Sequence, residues 1–443
     1  MVRAADVLTI GLLLLVAWTA YHPLQFRVSG TLVRIRDWRR VLALAAGLAA
    51  VRHALIRRQP LPARIGRGCR RTLRRAAAFA ARTAPAWAAL LLVSAVNAGI
   101  LLHRYDGGPY LRGDCQYYYW TAAALLSGDG LNLGRQLPGG WRAHLDQVSF
   151  SIANEPVPKH PVVLPVLSLP LVAAFGEPGA LAFNVAQMTL LVWLLYRLSC
   201  AAARPVAAAA AVVVSYAGSF LPHYVWNYSP DVCATLFVVG GSLLAASARS
   251  WRGAAAAGVL LGLAIAAKLS MLAFVPGAIW LAADSDRRRI AALAGGLAVP
   301  LAGLAILNLN LFGSPWVTSY DRIATVNAAG ALVLYSHGGF FSGAVADGIR
   351  GQLVDRTHGL LFTSPVTLLA LAGLPALWRR RPRLAAHVAA SSGALFLVFS
   401  TYDQWDASHY GNRFLMPLAA AMTVPLAAGL DRLAARRPTA RAA

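Results

Sequence analysis

Few residues in this chain can do chemistry. Of 443 residues only two are lysines, Lys159 and Lys268, and only two are glutamates, Glu155 and Glu177, although 41 residues are basic. One charged and aromatic stretch reads Gly113-Asp114-Cys115-Gln116-Tyr117-Tyr118-Tyr119-Trp120, continues through alanine and leucine, and stops at Gly128-Asp129-Gly130. Asp114 stands where a helix N-cap is expected, and the glycines supply the stop signal. Its carboxylate is therefore either a cap or a general base at the mouth of a cavity. A second stretch is Pro158-Lys159-His160-Pro161, leading into an apolar run that ends Phe175-Gly176. A lysine there either binds a phosphate as a point charge or snorkels to lipid headgroups. Lys268 interrupts the apolar run 253–283, and a cation between apolar segments invites a functional explanation. Tyr228-Ser229-Pro230-Asp231, Tyr320, Asp403, Asp406 and Ser408-His409-Tyr410-Gly411-Asn412-Arg413-Phe414 add further polar groups. Cys69, Cys115, Cys200 and Cys233 are too scattered for a disulfide framework or a zinc site.

These residues must be held by membrane helices. Apolar residues make up 58% of the chain and charged ones 13%, where a soluble domain has roughly 45–50% and 25%. That excludes a soluble enzyme, and the hydrophobicity excludes a disordered chain. The net charge of +24 would suggest nucleic acid on a soluble fold, but no soluble fold is available to carry a basic stripe. A helical span needs about 20 apolar residues. Spans are predicted at 86–104, 181–201, 205–222, 230–248, 289–308, 360–378, 384–401 and 414–432. As one helix 253–283 would reach about 46 Å, too long for a core of about 30 Å, so it is read as two short spans turning near Lys268. The run 161–176 is short and proline-rich and is read as a helix lying at the interface, like the segment after Asp114. Segment 5–22 is a hydrophobic helix without a cleavage site, and 41–56 is a partial span or an interfacial segment. The expected architecture is an all-α polytopic bundle of about 11–12 transmembrane helices.

Arginine then assigns sides, because short cytoplasmic loops are enriched in Lys and Arg. The Arg-rich loops at 57–82, 197–204, 249–252, 287–289 and 379–383, and the tail 433–443, all fall on one side of this ladder. On the other lie the long loops 105–180 and 309–359, the turn 223–229, Lys268 and 402–413. Twelve of the 17 carboxylates are there, counting Asp231 at the mouth of the span 230–248. The large net charge is thus an orientation signal. The nearly neutral outer face, with two loops too long to be structureless without a function, is where a site belongs. Arg27, Arg34, Arg36, Arg39 and Arg40 disagree with the rule if 5–22 and 41–56 both cross.

The series Gly-Asp-x-x-x-Tyr…Ala…Leu…Gly-x-Gly, Lys-x-Pro…Pro…Phe-Gly, Pro230-Asp231 opening a span, Asn310-Leu311-Phe312-Gly313-Ser314-Pro315 followed by Tyr320, and Gly411-Asn412-Arg413-Phe414 before the last helix resembles the GT-C superfamily of polytopic glycosyltransferases. The likeness is to the protein O-mannosyltransferase and aminoarabinose-transferase branch and runs in order over about 86–432. The resemblance implies a sugar carried on a polyprenyl phosphate, moved to a hydroxyl of a lipid, glycan or protein acceptor on the periplasmic side of the inner membrane. It implies Asp114 as the base for the acceptor and Lys159 on the donor phosphate; Arg413, at a comparable place near the end, would meet phosphate or a sugar hydroxyl, and Lys268, placed between two apolar spans, is a further candidate for the phosphate. Tyr117, Tyr118, Asp231, Tyr320 and His409 would line the same cavity. Gln116 follows where an Asp-x-Asp box would need its second carboxylate, so no metal site is assigned; a divalent cation stays open but is not called for. Residues 1–85, a membrane segment or segments with an Arg-rich loop, match nothing in the family, and Asn412 stands where proline is usual. The competing classes are a transporter or flippase without chemistry, which would predict internal repeats and mid-membrane polar groups, and another lipid-linked enzyme such as an O-antigen ligase.

Overall fold

The computed structural model describes residues 24–28, 31–35, 46, 83–103, 111–282, 287–406 and 410–436. The predicted segments 5–22 and 57–82, all of 41–56 but residue 46, Asp106, His409 and the end of the tail lie outside them. The chain divides into two compact units, 1–83 and 84–443. In the first, an antiparallel hairpin pairs β1 (Leu24–Val28) with β2 (Thr31–Ile35), in register from Leu24↔Ile35 to Val28↔Thr31. This hairpin is absent from the sequence reading.

The second unit is a helical bundle. Its elements begin with α1 (Thr83–His103), α2 (Asp114–Leu126), β3 (Val148–Phe150), β4 (Pro156–Pro158), α3 (Val163–Phe175), α4 (Glu177–Ser199) and α5 (Pro205–Ala217). They continue with α6 (Pro230–Ser247), α7 (Trp251–Ala267), α8 (Val275–Ala282), α9 (Arg287–Phe312), β5 (Ile323–Val326) and β6 (Leu332–Tyr335). The last are α10 (Val345–Val354), α11 (Leu360–Thr363), α12 (Pro365–Leu369), α13 (Leu374–Arg380), α14 (Pro382–Ser400), α15 (Met416–Ala421) and α16 (Thr423–Arg436). Among the described residues six helical segments are long and apolar enough to cross a membrane: α1, α4, α6, α9, α14 and Arg413–Ala435. With α3, α5, α7 and Leu269–Ala282 as shorter apolar helices, this is a helical polytopic membrane protein.

The break at Lys268 is real. Helix α7 ends at Ala267, Lys268 is extended (φ −160°, ψ 111°), and a 3-10 turn over Leu269–Phe274 leads into α8. The expected span 360–378 is a correction: it is interrupted where Ser364 (φ −152°, ψ 53°) precedes Pro365. Proline has no amide to donate and disfavours helical geometry in the residue before it. The span predicted over 205–222 closes at Ala217 and becomes a 3-10 turn, Leu221–Trp226.

Small residues let the helices approach closely. A Cβ on Gly258 of α7 would lie 2.0 Å from the Leu293 carbonyl oxygen of α9, and one on Gly296 would lie 2.0 Å from that of Ala255. Membrane helices associate through such contacts because lipid provides no hydrophobic drive between them. At one end of the bundle the arginines meet. Buried Asp431 accepts from Arg204 Nε (2.5 Å) and Arg380 Nη1 (2.5 Å), and Arg380 and Arg381 also donate to the carbonyls of Ala202 and Ala201. Arg289 donates to the Ala248 carbonyl at 2.7 Å. Among the described residues, the loops 197–204 and 379–383 and the last helix are joined by the first set of bonds, and the two ends of 248–289 by the last.

At the other end the two long loops are not structureless. They contribute two strands each to a four-stranded sheet of order β4-β3-β5-β6. Ser149 of the first loop pairs with Ile323 of the second. The reading of the chain as all-α omits this sheet. Its strands are three or four residues long, too short for alternation to announce them.

Candidate functional site

Helix α2 carries Asp114 in its first turn. Gly113 is the N-cap residue, with φ +58°, and no side chain caps the helix, so of the two readings of Asp114 the cap is set aside. The left-handed backbone favours glycine and leaves the carboxylate free to face inward. Helix α2 is pinned by Cys115, Tyr118 and Ala122, packed with Leu164 and Val172 of α3 and with Tyr228 and Cys233. The Cys115 thiol also donates to Asn227 Oδ1 (3.0 Å). Asp114 Oδ2 then meets Arg413 Nη2 at 2.9 Å.

Arg413 opens the last long helical segment. Asn412, standing where proline is usual, accepts from the Phe414 amide through Oδ1 and donates to the Trp405 carbonyl through Nδ2. That side chain sets the start of the segment and aims Arg413. The Arg413 Nε is buried without a hydrogen-bond partner, and the guanidinium lies within electrostatic reach of both Asp114 and Asp231.

Asp231 sits behind Pro230 at the start of α6, where a carboxylate suits the positive end of the helix dipole. It accepts from Ser229 Oγ (3.1 Å) and forms an ion pair with Lys268. The break after α7 brings that lysine to the N-terminus of α6, and its ammonium rests 4.5 Å from the Phe414 ring centre. Lys159, just beyond β4, is buried, and its Nζ donates to the Asp146 carbonyl at 2.6 Å. Asp146 can offer that carbonyl because it holds a left-handed backbone, φ +66°. Burial pushes the Lys159 ammonium below the usual lysine range, against the pull of Asp114 and Asp146.

Lys159, Lys268 and Arg413 thus share one region with Asp114 and Asp231, Asp146 standing beside Lys159, with aromatic walls. Tyr118 lies 4.9 Å, ring to ring, from His160, and Tyr320 reaches His160 Nδ1 at 3.5 Å. Burial raises both phenols above their ordinary range. Burial alone would also raise Asp114, but the charges of His160, Arg413 and Lys159 and the bond from Arg413 outweigh it and hold its carboxyl at about 2.

The structure therefore gathers Asp114, Lys159, Asp231, Lys268, Arg413, Tyr118 and Tyr320. Tyr117 stands at the edge of this cluster: its ring lies 6.4 Å from that of His160, but its hydroxyl bonds His144 Nδ1 at 2.9 Å and its ring packs edge-on against Trp120. His160 and Asp146 were not among the predicted site residues. His160 was visible beside Lys159 between two prolines. Nothing in the sequence signals Asp146, whose part is played by a backbone carbonyl. Among the described residues no three His, Cys, Asp or Glu side chains come together as a metal set.

No protein-family model matches the chain, and no curated protein matches it. Among solved structures it is similar to an oligosaccharyltransferase of Archaeoglobus fulgidus in its apo form, with a TM-score of 0.48 and 16% identity over 77% of this chain. The chain spans about half the length of that protein, 50%.

Proposed function

We propose that this protein is a membrane glycosyltransferase of GT-C type that moves a sugar from a polyprenyl-phosphate carrier to an acceptor hydroxyl. The observation that carries this reading is the buried cluster in which Asp114 pairs with Arg413, within electrostatic reach of Lys159, beside the Asp231–Lys268 pair. Buried polar groups are costly unless matched, and the Arg413 Nε left without a hydrogen-bond partner there is best matched by an anionic ligand. The order of motifs along the chain supports the same reading.

In the proposed reaction the acceptor hydroxyl gives its proton to the Asp114 carboxylate. Its oxygen forms a bond to the anomeric carbon as the bond from that carbon to the phosphate oxygen breaks. The electron pair leaves with the lipid phosphate, and Arg413 and Lys159 offset the growing charge. A carboxyl held at about 2 is a weak base. Phosphate drawing Arg413 toward itself would strengthen it by loosening the ion pair. Lys268 acts one step back, neutralising Asp231 so that Arg413 remains available. Tyr118, Tyr320 and His160 form the wall against which a sugar would stack.

The positive-inside rule supports a location of this cluster on the outer, periplasmic face of the inner membrane. The test is the pool of polyprenyl-linked sugars in cells lacking the protein. Accumulation of one such lipid, reversed by the wild type and not by Asp114→Asn, is the expected outcome. An unchanged pool of lipid-linked sugars and glycans would overturn the reading in favour of transport.

A further inference from the structure

The second long loop carries a feature that the proposed chemistry does not use. The hairpin β5–β6 touches the rest of the sheet through one residue pair, Ser149↔Ile323, and through the Asp146 amide on the Ala324 carbonyl (2.8 Å). Beyond Ala324 it projects. Val326 is 47% exposed, and Leu332, Val333 and Leu334 are 42%, 36% and 41% exposed.

Successive strand residues point to opposite faces, so beyond Ala324 the hairpin exposes Val326, Leu332 and Leu334 on one face and Val333, beside Thr325, on the other. A sheet bathed in water shows one polar face. No charged side chain occurs from Ile323 to Ser336. The charge at its base is already engaged: Asp321 accepts from the Thr318 amide and hydroxyl and from Ser336 Oγ.

The tip is equally distinctive in its backbone. Asn327 receives the amides of Ala329 and Ala331 on Oδ1, its own amide bonds the Ala331 carbonyl, and the Gly330 amide bonds the Asn327 carbonyl. A turn that satisfies its own amide groups loses little when water is withdrawn, the requirement for backbone entering lipid. The loop also starts at the right level. Trp316, 88% exposed, follows the end of the bilayer-length helix α9 by four residues, the position of an interfacial tryptophan.

We infer that the β5–β6 hairpin dips its tip, Val326 to Leu334, into the headgroup–acyl boundary of the bilayer and anchors the second loop there. The occupant of this surface is lipid. A polypeptide partner that added a strand would pair with the outer edge of β6; the charge-free apolar side chains of the tip, and the bilayer level that Trp316 sets, argue instead for lipid. The anchor is wired to the charged cluster, since Asp146, bonded through its amide to the hairpin, holds Lys159 through its carbonyl.

The test uses full-length protein in vesicles of phosphatidylethanolamine and phosphatidylglycerol. An environment-sensitive fluorophore is attached to Leu332→Cys or, as a water-facing reference, to Arg135→Cys, whose side chain is 83% exposed. Labelling of the unsubstituted protein is subtracted. Lipids bearing a nitroxide high on the acyl chain should quench the label at 332 several-fold more than at 135, and iodide should quench it several-fold less. Val326→Asp/Leu334→Asp, checked for an unchanged helical spectrum and elution volume, should bring the 332 label back to the reference values. Equal iodide access at the two positions would overturn the inference. So would shielding from iodide without lipid quenching, the pattern of a second copy or a bound polypeptide.

Discussion

At the residue scale the site turns on one contact, Asp114 to Arg413 at 2.9 Å. Under the proposed reaction Asp114→Asn keeps the shape of the side chain and removes the base, so transfer should fall by at least about 100-fold, the lower range for a general base, with an unchanged elution profile. The same residue should leave a mark on stability. Its carboxyl sits at about 2 in the fold, against 3.8 as the ordinary value. A depressed carboxyl stabilises the fold above its unfolded pKa and loses that contribution as pH falls through the folded one. The difference in melting temperature between wild type and Asp114→Asn in detergent should therefore hold from neutrality to about pH 4 and shrink toward pH 2. Arg413→Gln strands the carboxylate in a half-buried position. The double variant Asp114→Asn/Arg413→Gln should melt higher than Arg413→Gln alone, because removing both charges avoids an unpaired one. A lower melting temperature in the double variant would rule out a direct pair.

At the element scale, two backbone interruptions build the site. The first is the end of α7 at Ala267, which presents Lys268 to the dipole-positive start of α6 and to Asp231. Lys268→Met leaves a buried aspartate without its cation and should cost about 3–5 kcal/mol; Lys268→Met/Asp231→Asn should recover a large part of that loss in thermal unfolding. The second is the left-handed Gly113 that opens α2. Elsewhere the elements are held by close helix contact. Gly258→Val would drive its Cβ and methyl groups into the Leu293 carbonyl, with 2.0 Å available to a Cβ alone. It should lower the melting temperature with α7 and α9 separated, whereas Ala255→Gly, on the same contact, should be mild. Equal melting temperatures for Gly258→Val and wild type would mean that the two helices do not cross there.

At the scale of the whole molecule, the bundle has a basic end tied by Arg204, Arg380 and Asp431 and a carboxylate-rich end holding the site. Reporter fusions in the loop 309–359 and in the loop 379–383 should give opposite sidedness; the same side for both would break the arrangement. Much of this was legible in the chain. Long apolar runs have to become helices in lipid, where every backbone group must be satisfied within its own segment, and a run too long for the bilayer has to turn at its one lysine. The pairing of a scarce lysine and a first-loop carboxylate with the same face also follows from arginine placement. The interruption at Ser364–Pro365 and the 3-10 turn at Leu221–Trp226 were less legible, because apolar composition persists through them while local geometry ends the helix. What the sequence by itself determined is thus the solvent of each segment, hydrocarbon or water, since that depends on composition over about 20 residues. Partner choice belonged to the tertiary structure. That Asp114 meets Arg413, that Lys268 serves Asp231, that Tyr117 turns to His144, and that two loops share a sheet are contacts between residues 27 to 299 positions apart. Nothing in local pattern encodes such separations; only the packing of whole helices brings those side chains within a few ångströms.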